Sequence, residues 1–219
     1  MTRSEENYLK TIFHLGGSEI KHISTNAIAE QMETKPSSVT DMAKKLAEKK
    51  LVNYIKYQGV SLTDYGVKTA LSIIRKHRLW EVFLVEKLDF SWDEVHEVAE
   101  QLEHIKSEQL IDKLDKLLDF PRFDPHGDPI PTKDGVFKER IKKLLSEAPL
   151  NSTGICVGVK DSSAPFLKFL DKNNIALGQT IKIIEKEEFD GSFIIEIDKE
   201  RMHISNQIAS NLYLKMDEL

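Results

Sequence analysis

The sequence predicts a mainly α protein that ends in a small all-β domain. Three observations carry this reading. Apolar residues recur at helical spacing as far as Leu118; a stretch rich in proline and glycine interrupts them between Phe120 and Pro131; and beyond Ser152 the apolar residues fall into short β-branched runs. Three domains are expected, over residues 1–65, 66–145 and 146–219.

Glu5 to Leu15 reads as an amphipathic helix, with Tyr8, Leu9, Ile12 and Phe13 on one face and Gly16-Gly17 ending it. Ser24-Thr25 caps a short helix over Asn26–Met32. Pro36 suits the first turn of a third helix, whose buried stripe is Val39, Met42, Ala43 and Leu46. Leu51–Tyr54 and Val60–Thr63 then read as two strands around a turn that holds Gly59. Helix, helix, turn, helix and hairpin in that order make a winged helix-turn-helix. The third helix starts with small hydroxyl residues, Ser37, Ser38 and Thr40, which allow close approach to a DNA groove.

Thr63 caps a long helix with Val67, Ala70, Leu71 and Ile74 at helical spacing, running on through Leu84. Trp92–Val95 opens the next helix, and Ser107-Glu108 a further one through Leu118. These helices suit a dimer interface as well as a core. Phe120 to Pro131 is expected to be an extended connector, with His126 a turn residue rather than a ligand. A short helix from Phe137 to Leu145 and a linker at Ala148–Ser152 follow. Gly154–Val159, Thr180–Ile184, Ser192–Ile197 and Arg201–Ile204 read as strands of a small β-barrel, with a helix over Phe166–Leu170.

The chemistry concentrates in the middle helices. His77 and Glu81 lie one helical turn apart, and His96, Glu100, Glu103 and His104 follow at i, i+4, i+7 and i+8, which would place them along one helix face. Carboxylates brought together in this way repel one another unless a cation lies between them. Imidazole and carboxylate at such spacings are the donors of helical metal sites. On any other helix the same residues would be a solvated surface; two such pairs on consecutive helices argue for a metal.

Charge is divided along the chain. The net charge is −5, yet Lys35, Lys44, Lys45, Lys49, Lys50 and Lys56 face only Asp41 and Glu48 within their segment, whereas Asp89 to Glu108 is acidic. The first block suits a polyanion and the second a cation. The single cysteine, Cys156, excludes an internal disulfide and reads as a buried strand residue. No apolar run suggests a signal peptide or a membrane span, so a cytoplasmic location is expected.

Taken in order, several segments resemble the diphtheria toxin repressor family of iron- and manganese-dependent transcription regulators. They are Glu6–Ile12, Lys35–Thr40, Leu62–Gly66, Arg75–Leu79, Val95-His96, Glu103-His104 and Pro125–Pro131. The resemblance covers essentially the whole chain, and its C-terminal part is similar to that family's SH3-like domain, related to an accessory domain of ferrous-iron transport. It implies a homodimeric repressor that binds a double-stranded, pseudo-palindromic operator of metal-uptake genes when Mn2+ or Fe2+ is bound. His77, Glu81 and His96 match one family metal site, which Asp161 or Ser162 of the third domain would complete. Asn7, Glu100, Glu103 and His104 match the second, regulatory site. Iron-responsive members have cysteine at the position of Glu100; a carboxylate there points to manganese, the weakest binder of the divalent series and one that favours hard oxygen donors. The family usually has Met or Asp at position 7, and some manganese members have Glu at the position of Lys10, so separate sites are expected instead of a binuclear pair. Lys35, Pro36, Ser37, Ser38, Thr40, Asp41 and Lys44, with Lys56 at the hairpin tip, are the expected DNA-binding residues. Two other classes compete: a metallohydrolase with Glu103 as general base, for which the sequence offers no oxyanion or phosphate clamp, and a metal buffer, against which the third helix argues.

Overall fold

The computed structural model describes residues 1–17, 21–137 and 141–216. They form two compact units, one from residues 1–80, 100–113 and 131–137, the other from 81–99, 114–130 and the chain beyond 137.

In the first unit, α1 (Arg3–Gly16), α2 (Thr25–Gln31) and α3 (Pro36–Glu48) precede a hairpin of β1 (Val52–Ile55) and β2 (Gly59–Leu62). Leu9, Ile28, Val39, Leu46 and Val60 form a fully buried centre. The helix starts follow from how their orphan N–H groups are met. Thr2 and Glu5 form a reciprocal capping box on α1, Ser24 accepts from the Ala27 N–H, and Pro36, which has no N–H, needs no acceptor at the otherwise uncapped head of α3. The hairpin is tied to the chain before α2 by two hydrogen bonds between Ile23 and Val60, of 2.8 and 2.9 Å. Gly59 permits this approach: it has φ +115°, and a Cβ there would lie 2.3 Å from the Ile23 carbonyl oxygen.

Beyond the hairpin come α4 (Asp64–Leu88), α5 (Val95–Leu102) and α6 (Glu108–Leu117). The expected ligand helix therefore ends at Leu102, and Glu103 and His104 lie in a turn, not on a common helical face with His96. The Ile105 N–H closes that turn on the Leu102 carbonyl, and the side chains of Glu103 and His104 turn to buried polar partners. Trp92–Glu94 likewise form a turn ahead of α5 rather than its first residues.

The second unit is dominated by an antiparallel sheet. Its strands are β3 (Lys143–Leu144), β4 (Thr153–Val159), β5 (Thr180–Lys186), β6 (Phe193–Ile197), β7 (Glu200–Ile204) and β8 (Leu212–Met216), with α7 (Ala164–Lys172) and α8 (Asn206–Ala209) between them. The order is β3-β8-β4-β5-β6-β7, with irregularities at Cys156/Gly158 and Ile183/Glu185. Among the described residues β3 and β7 are left as edges, so the sheet does not close into the expected barrel. Ile181, Ile183, Phe193 and Ile195 fill its core with Leu167 and Leu170 of α7. Part of the expected helix over Phe137–Leu145 falls on 138–140, outside the described residues. Of the rest, Lys143–Leu144 pairs with β8, and Leu145–Glu147 forms a single 3-10 turn.

The segment before Ile130 is folded on itself instead of extended. The Asp124 carboxylate accepts from the backbone N–H groups of His126 and Asp128, both at 2.9 Å, and Phe123 bridges Pro129. Gly127 lies against β4, where a Cβ would meet the Val157 carbonyl oxygen at 2.0 Å.

Candidate metal centres and nucleic-acid face

Two groups of potential metal ligands lie wholly within a unit, one in each. In the second unit the centre is Glu81 of α4, a carboxylate almost wholly removed from solvent. His96 of α5 approaches its Oε1 through Nδ1 at 3.3 Å, and the His126 Nδ1 lies 3.8 Å from the same oxygen. Glu81, Asp124 and His126 are all buried and each offers one donor atom within 4.8 Å of the others. His126 does occupy a turn, as its sequence context implies, but its ring is buried, stacked on Trp92 and hydrogen-bonded to the Trp92 carbonyl at 2.8 Å. A carbonyl can only accept, so Nε2 carries the proton and donates, and Nδ1 faces Glu81. Burial pushes the His126 pKa down, but the Glu81 carboxylate, then Asp124, outweigh it and raise it to about 9. An imidazolium thus holds the two carboxylates together, at a position where a metal would replace its Nδ1 proton.

Asp124 and His126 are the residues that spacing arguments missed. Their signal was an acid and an imidazole two positions apart in a proline- and glycine-bounded turn, Phe-Asp-Pro-His-Gly. Asp161 accepts from the Ser163 N–H at 2.8 Å ahead of α7 and belongs to none of the ligand groups among the described residues; Ser162 is exposed.

In the first unit Glu103 is the centre and is fully buried. Its Oε2 accepts from His77 Nδ1 at 2.7 Å, and both its oxygens accept from Lys10 Nζ, at 2.9 and 2.8 Å. The same ammonium reaches Glu100, and Glu100 Oε1 lies 4.0 Å from His77 Nδ1. Burial drives the Glu103 carboxyl upward; the His77 hydrogen bond and the Lys10 charge together outweigh it and hold it below the usual carboxylate range. His104 directs Nδ1 at Glu6 at 2.5 Å and Nε2 towards Glu103 at 3.9 Å. A buried glutamate orients this imidazole, the outer partner that metal-binding histidines usually have. The Asn7 side-chain oxygen is buried and has no hydrogen-bond partner among the described residues. An unsatisfied buried amide oxygen is costly in a folded protein, and a cation would satisfy it. Oxygen-rich donors with imidazole suit a hard divalent ion of the Mn2+ or Fe2+ kind.

The candidate nucleic-acid face is simpler. Lys35, Pro36, Ser37 and Ser38 are exposed at the head of α3, where no side chain caps the helix, so its first N–H groups remain for a phosphate or water. The Thr40 hydroxyl donates to the Pro36 carbonyl at 3.0 Å, and Lys44 lies 3.9 Å from Asp41 across an exposed surface. Lys56 sits 4.8 Å above the ring of Tyr57, which is 91% exposed at the hairpin tip. Lys49 departs from the basic block: it pairs internally with Glu5 at 2.7 Å.

Three family models match successive parts of the chain. Residues 1–60 match the iron dependent repressor N-terminal DNA binding domain, 63–132 its metal binding and dimerisation domain, and 143–216 the FeoA domain. A solved manganese-dependent transcriptional repressor in complex with manganese superposes with a TM-score of 0.86 at 33% identity, over 96% of this chain and 99% of that one. The HTH-type transcriptional regulator MntR of Oceanobacillus iheyensis is 33% identical over 147 residues, 67% of this chain and 92% of the relative. The iron-dependent repressor IdeR of Mycobacterium leprae is 33% identical over 126 residues, 58% of this chain, and the match spans only about half of the relative's length, 54%. These relatives are transcriptional repressors, not enzymes, which sets the hydrolase reading aside. The chain belongs to the iron-dependent repressor family, the metal-dependent transcriptional repressors that include the diphtheria toxin repressor, IdeR and MntR.

Proposed function

We propose that this chain is a manganese-responsive repressor that acts as a homodimer in the cytoplasm on pseudo-palindromic operators of metal-uptake genes. The observation that carries the reading is the pair of buried carboxylate–imidazole groups built around Glu81 and Glu103. Glu81, Asp124 and His126 would form one site, with His96 at its exposed side. Asn7, Glu100, Glu103 and His104 would form the other. Glu100 supports manganese over iron because a hard carboxylate stands where iron-responsive members have a thiolate. Asp161 remains a candidate for the first site, and an SH3-like architecture for the C-terminal domain.

A bound divalent ion supplies concentrated positive charge between carboxylates that otherwise repel. Glu6 holds the His104 ring in place, and the Trp92 carbonyl holds His126 so that Nδ1 faces Glu81. Asn7 would tie α1 to the turn after α5, favouring one arrangement of the dimer by differential affinity. In that arrangement the two α3 helices would reach successive major grooves, with Ser37, Ser38 and Thr40 at the bases and Lys35, Lys44 and Lys56 near phosphates.

Thr40→Glu tests the division of labour. Full-length protein carrying it should bind Mn2+ as the wild type does and lose operator binding at least a hundredfold. Loss of both together would point to a fold defect, and operator binding kept at the wild-type level would point to another DNA-binding face.

A further inference from the structure

Lys10 stands out among the groups that the proposed function leaves unused. It lies on α1, its side chain is only 12% exposed, and its ammonium contacts Glu100 and both oxygens of Glu103, more than two-fifths of the chain away. Surface ion pairs are weak and replaceable, but this one satisfies a carboxylate with no solvent exposure. We infer that Lys10 is a tethered cation that competes with the divalent ion for the Glu100–Glu103 carboxylates. The inference rests on the reading that these two carboxylates hold metal.

Charge and geometry both lead there. Glu6, Glu100 and Glu103 face one ammonium and two imidazoles, each of which directs its Nδ1 at a glutamate. Without metal, Glu100 and Glu103 already hold a cation, and Glu103 is hydrogen-bonded at both oxygens. A charged lysine is not a metal ligand, so it has to withdraw before the carboxylates can take an ion. Asn7 lies one turn before Lys10 on the same helix face, with its buried oxygen unpartnered among the described residues. Loading the site therefore exchanges one tie on α1 for another: the Lys10 contact is lost and the Asn7 contact is made. Because α1 packs into the core beside α2, α3 and β2, that exchange acts on the element that positions the nucleic-acid face. Lys10 thus sets how much metal is needed to load this site.

The test uses the full-length protein with Glu81→Gln in every sample except a wild-type control, so that only the Glu103 group is counted in the variants. Mn2+ binding is read from the electron paramagnetic resonance of the free ion, and thermal melts are recorded with and without Mn2+. Lys10→Met should tighten the remaining Mn2+ site at least tenfold. It should also lower the melting temperature of metal-free protein, where Glu103 loses its partner, and Mn2+ should restore it. Lys10→Gln, neutral and still polar, should tighten binding in the same sense if the Met variant does not fold without metal. Unchanged or weaker Mn2+ binding in both variants would overturn the inference while leaving the proposed function in place. No Mn2+ binding at either group in the wild type would instead overturn the proposed function, and this inference with it.

Discussion

In metal-free protein the His126 imidazolium is a stabilising group whose contribution should disappear at alkaline pH. Its pKa is raised from 6.5 to about 9, burial opposing the shift while the Glu81 and Asp124 carboxylates drive it. A raised folded-state pKa means that the stabilisation is complete below the unfolded value of 6.5 and is lost as pH climbs through 9. At about 1.4 kcal/mol per pKa unit, this shift corresponds to at most about 3.5 kcal/mol. The assay is urea unfolding of chelator-treated protein between pH 6 and 10, followed by tryptophan fluorescence, since Trp92 stacks on the His126 ring. Other groups titrate in the same range, so His126→Gln is the reference. The wild type should lose about 3 kcal/mol more than the variant between pH 6.5 and 9.5. Parallel loss of stability in the two proteins would refute the imidazolium account. The same proton should be released when Mn2+ binds at neutral pH, which calorimetry in buffers of differing ionisation enthalpy would detect.

Three other outcomes are expected. Gly59→Ala places a methyl group 2.3 Å from the Ile23 carbonyl oxygen at a positive φ, and should cost about 1–3 kcal/mol in the melting of metal-free protein. Lys44→Ala and Lys56→Ala should each weaken operator binding almost regardless of sequence and reduce the slope of log K against log salt by about one, as measured by fluorescence anisotropy. Thr2→Ala removes one half of the α1 capping box and should lower stability by about 1 kcal/mol in chemical unfolding.

The N-terminal elements were legible because local signals agreed with the tertiary structure. Pro36 begins α3, Gly59 sits where β2 meets the Ile23 backbone, and Val39, Ala43 and Leu46 are buried as helical spacing requires. Reading stopped where long-range contacts decide. Helical periodicity extended the ligand stripe to His104, but the helix ends at Leu102, so His96 goes with Glu81 while Glu103 goes with Lys10 and His77. No local pattern links Lys10 to Glu103, because that pair is made by bringing α1 against the turn after α5. Asp124 was hidden in a segment read as a connector; its turn-forming hydrogen bonds and its place beside Glu81 use the same carboxylate. The last strand was missed although Leu212, Leu214 and Met216 alternate, and β8 lies between β3 and β4. Closure of a sheet depends on the register at its edges, and apolar runs alone do not carry that information.

The measurement that bears most directly on the account is DNA binding as a function of metal. Full-length protein would be titrated onto a fragment from the promoter of a divalent-metal transporter gene, without metal, with Mn2+ and with anaerobic Fe2+, alongside a Glu103→Ala variant. The account predicts tight binding with Mn2+, weaker binding with Fe2+ at equal concentration, little without metal, and loss of the metal response in the variant. Binding of equal strength with and without metal would contradict it.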